Sequence, residues 1–261
     1  DNNRARLDIK TQFKSDVGVR DSSIRVELHG MPLIQEYCRT DKIDATTLIK
    51  NNRKIQFVQK QPILDLKQEP LRDAEFSDFD FTVSFKNERN YHHKSDIVTG
   101  MLNDWQSMKK TFRFINRIEF KCPEYHKVNI HMTVVKSSTV TVNAVGKREP
   151  VYSYNIADSN VFSNEPTYEI EFELNGNTMS KAIDTPQSLT AIVHKVSKFI
   201  LCGLQNTNFP ISNREKEFIL NEYSELLYPG EKRRMNPSYF IGPSSITLQA
   251  ANLSEKVSSN S

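Results

Sequence analysis

Between residue 1 and about residue 175, charged and apolar side chains alternate in segment after segment, and this constrains the fold more than any other feature of the chain. "RLDIKTQF", "SSIRVELHG", "KIQFVQKQ", "DFTVSFKNE", "KTFRFINRIEFK", "KVNIHMTVVKSS" and "TYEIEFEL" each mix β-branched or aromatic residues with charges at period two. Successive side chains of a β-strand point to opposite faces, so each segment has one polar and one apolar face. In the last segment Glu169, Glu171 and Glu173 alternate with Ile170, Phe172 and Leu174. The three carboxylates then line one face at roughly 7 Å intervals. A solvated outer face accounts for that pattern, and so does a site where carboxylate oxygens hold a hard divalent cation.

The other strands repeat it. Lys109, Arg113 and Arg117 share one parity, as do Lys86 with Glu88, Arg25 with Glu27, and Lys54 with Lys60. In a barrel each strand gives alternate residues to the inside and the outside. Charged faces turned inward make a lumen suited to a polyphosphate and a divalent metal; turned outward they need no explanation, and periodicity does not choose. "MPLIQEYCRTD" and "KSDIVTGMLNDWQSMKK" read as short helices between strands, with Trp105 on a helix face in the core. After the carboxylate strand, "TPQSLTAIVHKVSKFILCGLQ" reads as a helix with Pro in its first turn and an apolar stripe at Ile192, Val193, Val196, Phe199, Ile200 and Leu204. "SNREKEFILNEYSELLY" is a second helix with Ser212 as N-cap. Many antiparallel strands followed by two helices predict an α+β fold built on a closed or nearly closed barrel.

Composition narrows the function classes. The 261 residues suffice for one large domain or two small ones. A net charge of +3 permits an anionic partner without requiring one. Three widely spaced cysteines, with no CxxC pair, argue against a zinc ribbon or a disulfide framework and suit a reducing compartment. No apolar run reaches membrane-spanning length, so no membrane partner is expected. There is no GxxxxGK[ST] or GxGxxG phosphate loop and no recognisable nucleophile motif, and His92-His93 reads as a solvated loop. The chain begins at Asp1 without an initiator Met and is expected to be a piece of something longer.

Taken in order, "SSIRVELHG…YCRTDKI", "FDFTVSFKNE", "FRFINRIEF", "MTVVKSS", "YEIEFEL" and, after two helices, "NPSYFIGPSSITL" resemble the RNA 5′-triphosphatase domain of large DNA virus mRNA capping enzymes. Those domains are triphosphate tunnel metalloenzymes, shared with fungal and poxvirus capping enzymes, and the resemblance runs over most of the chain. It implies an eight-stranded antiparallel β-barrel, the triphosphate tunnel, with helices packed outside. It also implies metal-dependent removal of the γ-phosphate from 5′-triphosphate RNA, the first step of cap formation. Glu169, Glu171 and Glu173 resemble the C-terminal Mg²⁺- or Mn²⁺-binding strand, and Glu88 the acid that orients the attacking water. Arg113 and Arg117 resemble phosphate-holding residues, with Lys86, Lys60, Arg25 and Lys136 as further substrate-binding candidates. The substrate class is triphosphate-ended RNA or a nucleoside triphosphate.

By the same resemblance, residues 1–228 form the tunnel domain. Residues 229–261 then lead into a guanylyltransferase domain, with a methyltransferase as a possible further partner in the parent polypeptide. The expected location is the cytoplasm of a virus-infected cell, or the virion. The family's first glutamate strand has no counterpart here. A tunnel lacking its first strand is therefore expected, with an open seam beside the Glu169 strand. Thr82 and Ile115 stand where family members carry Arg and Lys, and Asn129 and His131 replace an Arg and an Asp. Lys136 lies off the parity of Thr133 and His131, so a bulge is needed to bring it inward. These departures support an alternative: a non-catalytic tunnel module that binds RNA ends or bridges other capping domains.

Overall fold

A computed structural model of the chain describes residues 4–15, 18–51, 53–121, 128–174 and 185–230. The strands are β1 (Ala5–Ser15), β2 (Gly18–His29), β3 (Ile55–Pro62), β4 (Ala74–Phe76), β5 (Phe81–Val83), β6 (Lys86–Tyr91), β7 (Lys110–Lys121), β8 (Val128–Ser137), β9 (Val140–Val142), β10 (Arg148–Pro150) and β11 (Thr167–Leu174). The helices are α1 (Met31–Thr40), α2 (Ala45–Lys50), α3 (Asp96–Asn103), α4 (Pro186–Gln205) and α5 (Asn213–Leu227). Seven strands make one antiparallel sheet in the order β11-β8-β7-β1-β2-β3-β6, curled into a half-barrel with helices on its outside. This is the expected α+β class. Among the described residues β11 pairs only with β8, at the edge of the sheet.

The apolar parity of the strands makes the core. Leu7 and Ile9 of β1 lie beside Val26 and Leu28 of β2, Phe57 of β3 and Phe112 of β7, all essentially without solvent contact. Leu33, Ile34 and Tyr37 of α1, Leu48 of α2 and Val98 of α3 close over them. Each such side chain contributes about 1.5–3 kcal/mol on burial. Gly30 allows the chain to turn from β2 straight into α1. Its φ of 95° lies in the region that side chains avoid, and its N–H donates to the Ala5 carbonyl at 2.8 Å.

Four details differ from the sequence expectation. "DFTVSFKNE" is not one strand; it breaks at Ser84-Phe85 into β5 and β6. The helix before β7 ends at Asn103, leaving Trp105 in a turn. Trp105 is nevertheless buried, and its indole N–H donates to the Asp41 carbonyl at 3.1 Å. Helix α2 and the β9–β10 hairpin were not expected. Their signals are local: Asp44 accepts from the Thr47 N–H at 2.7 Å, and Gly146 turns the hairpin at φ 79°.

The chain divides into two compact units, Asp1–Ala74 with Val83–Val196, which holds the sheet, and Glu75–Thr82 with Ser197–Ser261. In the second unit the Asn213 amide donates to the Ser77 carbonyl at 3.2 Å and to Asp80 at 3.1 Å. Helix α5 starts with a capping box between Ser212 and Glu215, as its sequence implies. The boundary drawn at residue 229 is followed by residues 231–261, which lie outside the described residues, as does "YFIGP".

Candidate functional site

Register decides which side chains share the face opposite the core. Leu7, on the core face, pairs with Leu28 and Phe114; its neighbour Asp8 pairs with Glu27 on β2 and Arg113 on β7. Following the pairs outward, one face of the sheet carries Glu88, Lys60, Arg25, Glu27, Arg6, Asp8, Arg113, Arg117, Glu119, Thr133, His131, Glu169, Glu171 and Glu173. Nine of the ten sequence-derived site candidates, with Lys86 beside Glu88, therefore fall on a single face. Lys136 does not. β7 and β8 pair without a bulge from Arg113–Ser137 to Lys121–Asn129, which places Lys136 opposite Phe114 on the other face. Its Nζ donates to the Phe162 carbonyl at 2.7 Å.

The face has a buried floor and half-exposed rims. Asp8, Glu27, His131, Thr133, Ile115 and Val135 are buried, although they lie opposite the helix-packed core. At the centre Asp8 and Glu27 are held between two guanidiniums. Arg6 lies 2.8 Å from Asp8 and 3.3 Å from Glu27, and Arg25 lies 3.4 Å from Asp8 and also pairs with Glu27. His29 adds a contact to Glu27 at 3.2 Å. Burial would raise the Glu27 carboxyl, but the His29 and Arg25 hydrogen bonds and the charges of Arg6 and Arg25 bring it down to about 2. Burial dominates at Asp8, whose carboxyl is raised against the opposing pull of Arg6 and Arg25. Arg25, expected to hold substrate, is thus engaged in the floor.

On the β11 side each arginine grips a glutamate. Arg113 pairs with Glu169, and Arg117 donates to Glu171 at 2.9 Å and to His131 Nδ1 at 3.2 Å. His131 Nε2 lies 3.2 Å from Glu119. On the far rim Lys60 lies 3.4 Å from Glu88, and Lys86 Nζ donates to Asp73 at 2.9 Å. Electrostatic influence runs across the floor, from Arg113 to Asp8, from Asp8 to Arg25, and from Arg25 to Glu88.

A cation-binding group is present among the described residues, but its membership differs from the sequence reading. His131, Glu171 and Glu173 each offer a ligand atom within 4.8 Å of the others. Glu169 is turned to Arg113 instead. His131, noted in the sequence only as a departure from the family pattern, takes a central place because its register puts it directly across from Glu171. Among the described residues, the Thr133 hydroxyl and Arg117 Nε are buried without hydrogen-bond partners on this same face. Two polar groups left unmet beside the carboxylates fit a site made to receive a further polar ligand. Of the other departures, Ile115 is part of the floor, Asn129 lies across from Glu173, and Thr82 is on β5, outside the seven-stranded sheet.

What fold and site define is an α+β protein whose curled antiparallel sheet presents a mixed cationic and carboxylate groove. No family model matches the chain, and no curated protein matches it. Among solved structures, the RNA triphosphatase domain of a trifunctional mimivirus mRNA capping enzyme is similar at 18% identity over 76% of each chain, with a TM-score of 0.42. A triclinic structure of the mimivirus capping enzyme triphosphatase is 19% identical over 76% of this chain and 77% of that one, with a TM-score of 0.38. A monoclinic one is 18% identical over 75% and 76%, with a TM-score of 0.41. No helix among the described residues is long and apolar enough to cross a membrane.

Proposed function

We propose that this chain is a polynucleotide 5′-triphosphatase that removes the γ-phosphate of triphosphate-ended RNA in a metal-dependent reaction. The observation that carries the reading is the gathering on one face of Arg113 and Arg117 with Glu169, Glu171, Glu173 and, across the groove, Glu88. A triphosphate needs cations along its oxygens, and hydrolysis needs a carboxylate near an attacking water. Arg113 and Arg117, once released from their glutamates, would hold phosphoryl oxygens. Lys60, Lys86 and Arg25 extend the basic lining, and Glu88 orients the water. A divalent ion such as Mg²⁺ or Mn²⁺ at the carboxylate row would neutralise phosphoryl charge.

By the same reading residues 1–228 are the triphosphatase domain. Residues 229–261 lead toward a guanylyltransferase, and the parent protein acts in a virus-infected cell or virion. The test is phosphate release from RNA bearing a labelled γ-phosphate, with and without a chelator. Release that the chelator abolishes supports the proposal.

A second reading has its own observation. Each basic candidate on the face is already paired with an acid, Arg25 within the floor, Lys60 with Glu88, Lys86 with Asp73, Arg113 with Glu169 and Arg117 with Glu171. A non-catalytic module that binds RNA 5′ ends or bridges capping domains would bind triphosphate-ended RNA without releasing phosphate.

A further inference from the structure

We propose that His131, Glu171 and Glu173 form a nitrogen-and-oxygen metal site that takes a first-row transition-metal dication in preference to Mg²⁺. The proposal refines the metal in the triphosphatase reading but stands on ligand geometry. Arg117 has only donors to offer, so its contact to His131 at 3.2 Å makes Nδ1 the acceptor and leaves the ring proton on Nε2. That N–H faces the Glu119 carboxylate at 3.2 Å. A carboxylate behind one ring nitrogen, with the other nitrogen's lone pair turned into a group of oxygens, is the arrangement that orients metal-ligating histidines. The lone-pair nitrogen lies 3.9 Å from Glu173, and His131 is only 4% exposed.

A second, separate observation points to a ligand. Thr133 is 4% exposed, its hydroxyl has no partner among the described residues, and it lies on the same face directly between Arg117 and Glu169. It is roughly 7 Å along β8 from His131, within reach of water bound to a metal there. Imidazole shifts preference from Mg²⁺, which favours oxygen-only octahedra, toward Mn²⁺, Co²⁺ or Zn²⁺. The incoming ion must compete with Arg117, which now occupies both Nδ1 and Glu171.

The experiment titrates the chain with Co²⁺ and separately with Mg²⁺, followed by calorimetry and, for Co²⁺, visible absorption. The wild type should bind Co²⁺ at least about tenfold more tightly than Mg²⁺. His131→Asn should weaken Co²⁺ by about tenfold or more and leave Mg²⁺ nearly unchanged. Glu119→Gln acts at a half-exposed side chain and keeps the test alive if the buried substitution unfolds the sheet. It should weaken Co²⁺ by about tenfold and alter the visible band. Arg117→Gln should strengthen Co²⁺ binding. Equal affinities for the two ions, or Co²⁺ binding indifferent to both His131→Asn and Glu119→Gln, overturns the proposal. Co²⁺ bound through His131 without any phosphate release would uphold this site while rejecting the triphosphatase reading.

Discussion

Glu27 is the residue on which the floor of the groove depends. It touches Arg6, Arg25 and His29. Removing its charge leaves the buried Asp8 to balance both guanidiniums, so Glu27→Gln should cost on the order of 3 kcal/mol in urea unfolding at neutral pH. Its folded carboxyl titrates near 2, below the ordinary glutamate value. Its stabilisation is therefore complete above about pH 4.5 and lost as pH falls toward 2, and Glu27→Gln should flatten that part of the profile. Lys110 works in the same sense over a higher pH window. It is buried over the Trp105 ring, donates to the Met108 and Tyr154 carbonyls, and burial brings it down to about 8. The unfolded chain holds this proton up to about pH 10.4, so the Lys110 contribution makes stability rise with pH between about 8 and 10.4. Lys110→Met should remove that rise.

At the scale of the element, strand parity was legible and strand ends were not. The period-two charges of "IRVEL", "FRFINR" and "YEIEFEL" place Arg25, Arg113, Arg117 and the glutamates on one face because a strand leaves a side chain no other choice. Whether that face is groove or outer surface depends on the curl of the whole sheet, which no single strand encodes. The break at Ser84-Phe85 was hidden because Phe81, Val83 and Phe85 keep alternating with polar residues across it. The role of His131 was hidden because it comes from cross-strand register with Glu119 and Glu171, which lie 12 and 40 positions away in the chain. Lys136 lies off that parity and is a substrate-binding candidate by resemblance alone; the unbulged β7–β8 ladder leaves it on the opposite face and corrects that expectation. Lys136→Ala should therefore leave tripolyphosphate affinity unchanged within about twofold, whereas Arg117→Ala should weaken it by about tenfold or more, given the typical worth of a charged hydrogen bond. Calorimetry on the two variants checks this. On α5, Ser212→Ala removes half of the capping box and should cost about 1 kcal/mol.

For the whole molecule, the sheet joins two kinds of stability. One face buries Leu7, Ile9, Val26, Leu28 and Phe57 under helices. The other uses much of its charge on internal pairs that a triphosphate and a metal would have to exchange for new ones. That exchange is what turns a stable surface into a reactive one. Its most direct measurement is the rate of γ-phosphate release from triphosphate-ended RNA with Mn²⁺, comparing the wild type with Glu171→Ala and with Lys136→Ala as the control on the opposite face. The account expects metal-dependent release by the wild type and by Lys136→Ala. It expects a drop of at least about a hundredfold in Glu171→Ala, the usual scale when a stabiliser of transition-state charge is removed. Near-normal release by Glu171→Ala, or none by the wild type, would contradict it.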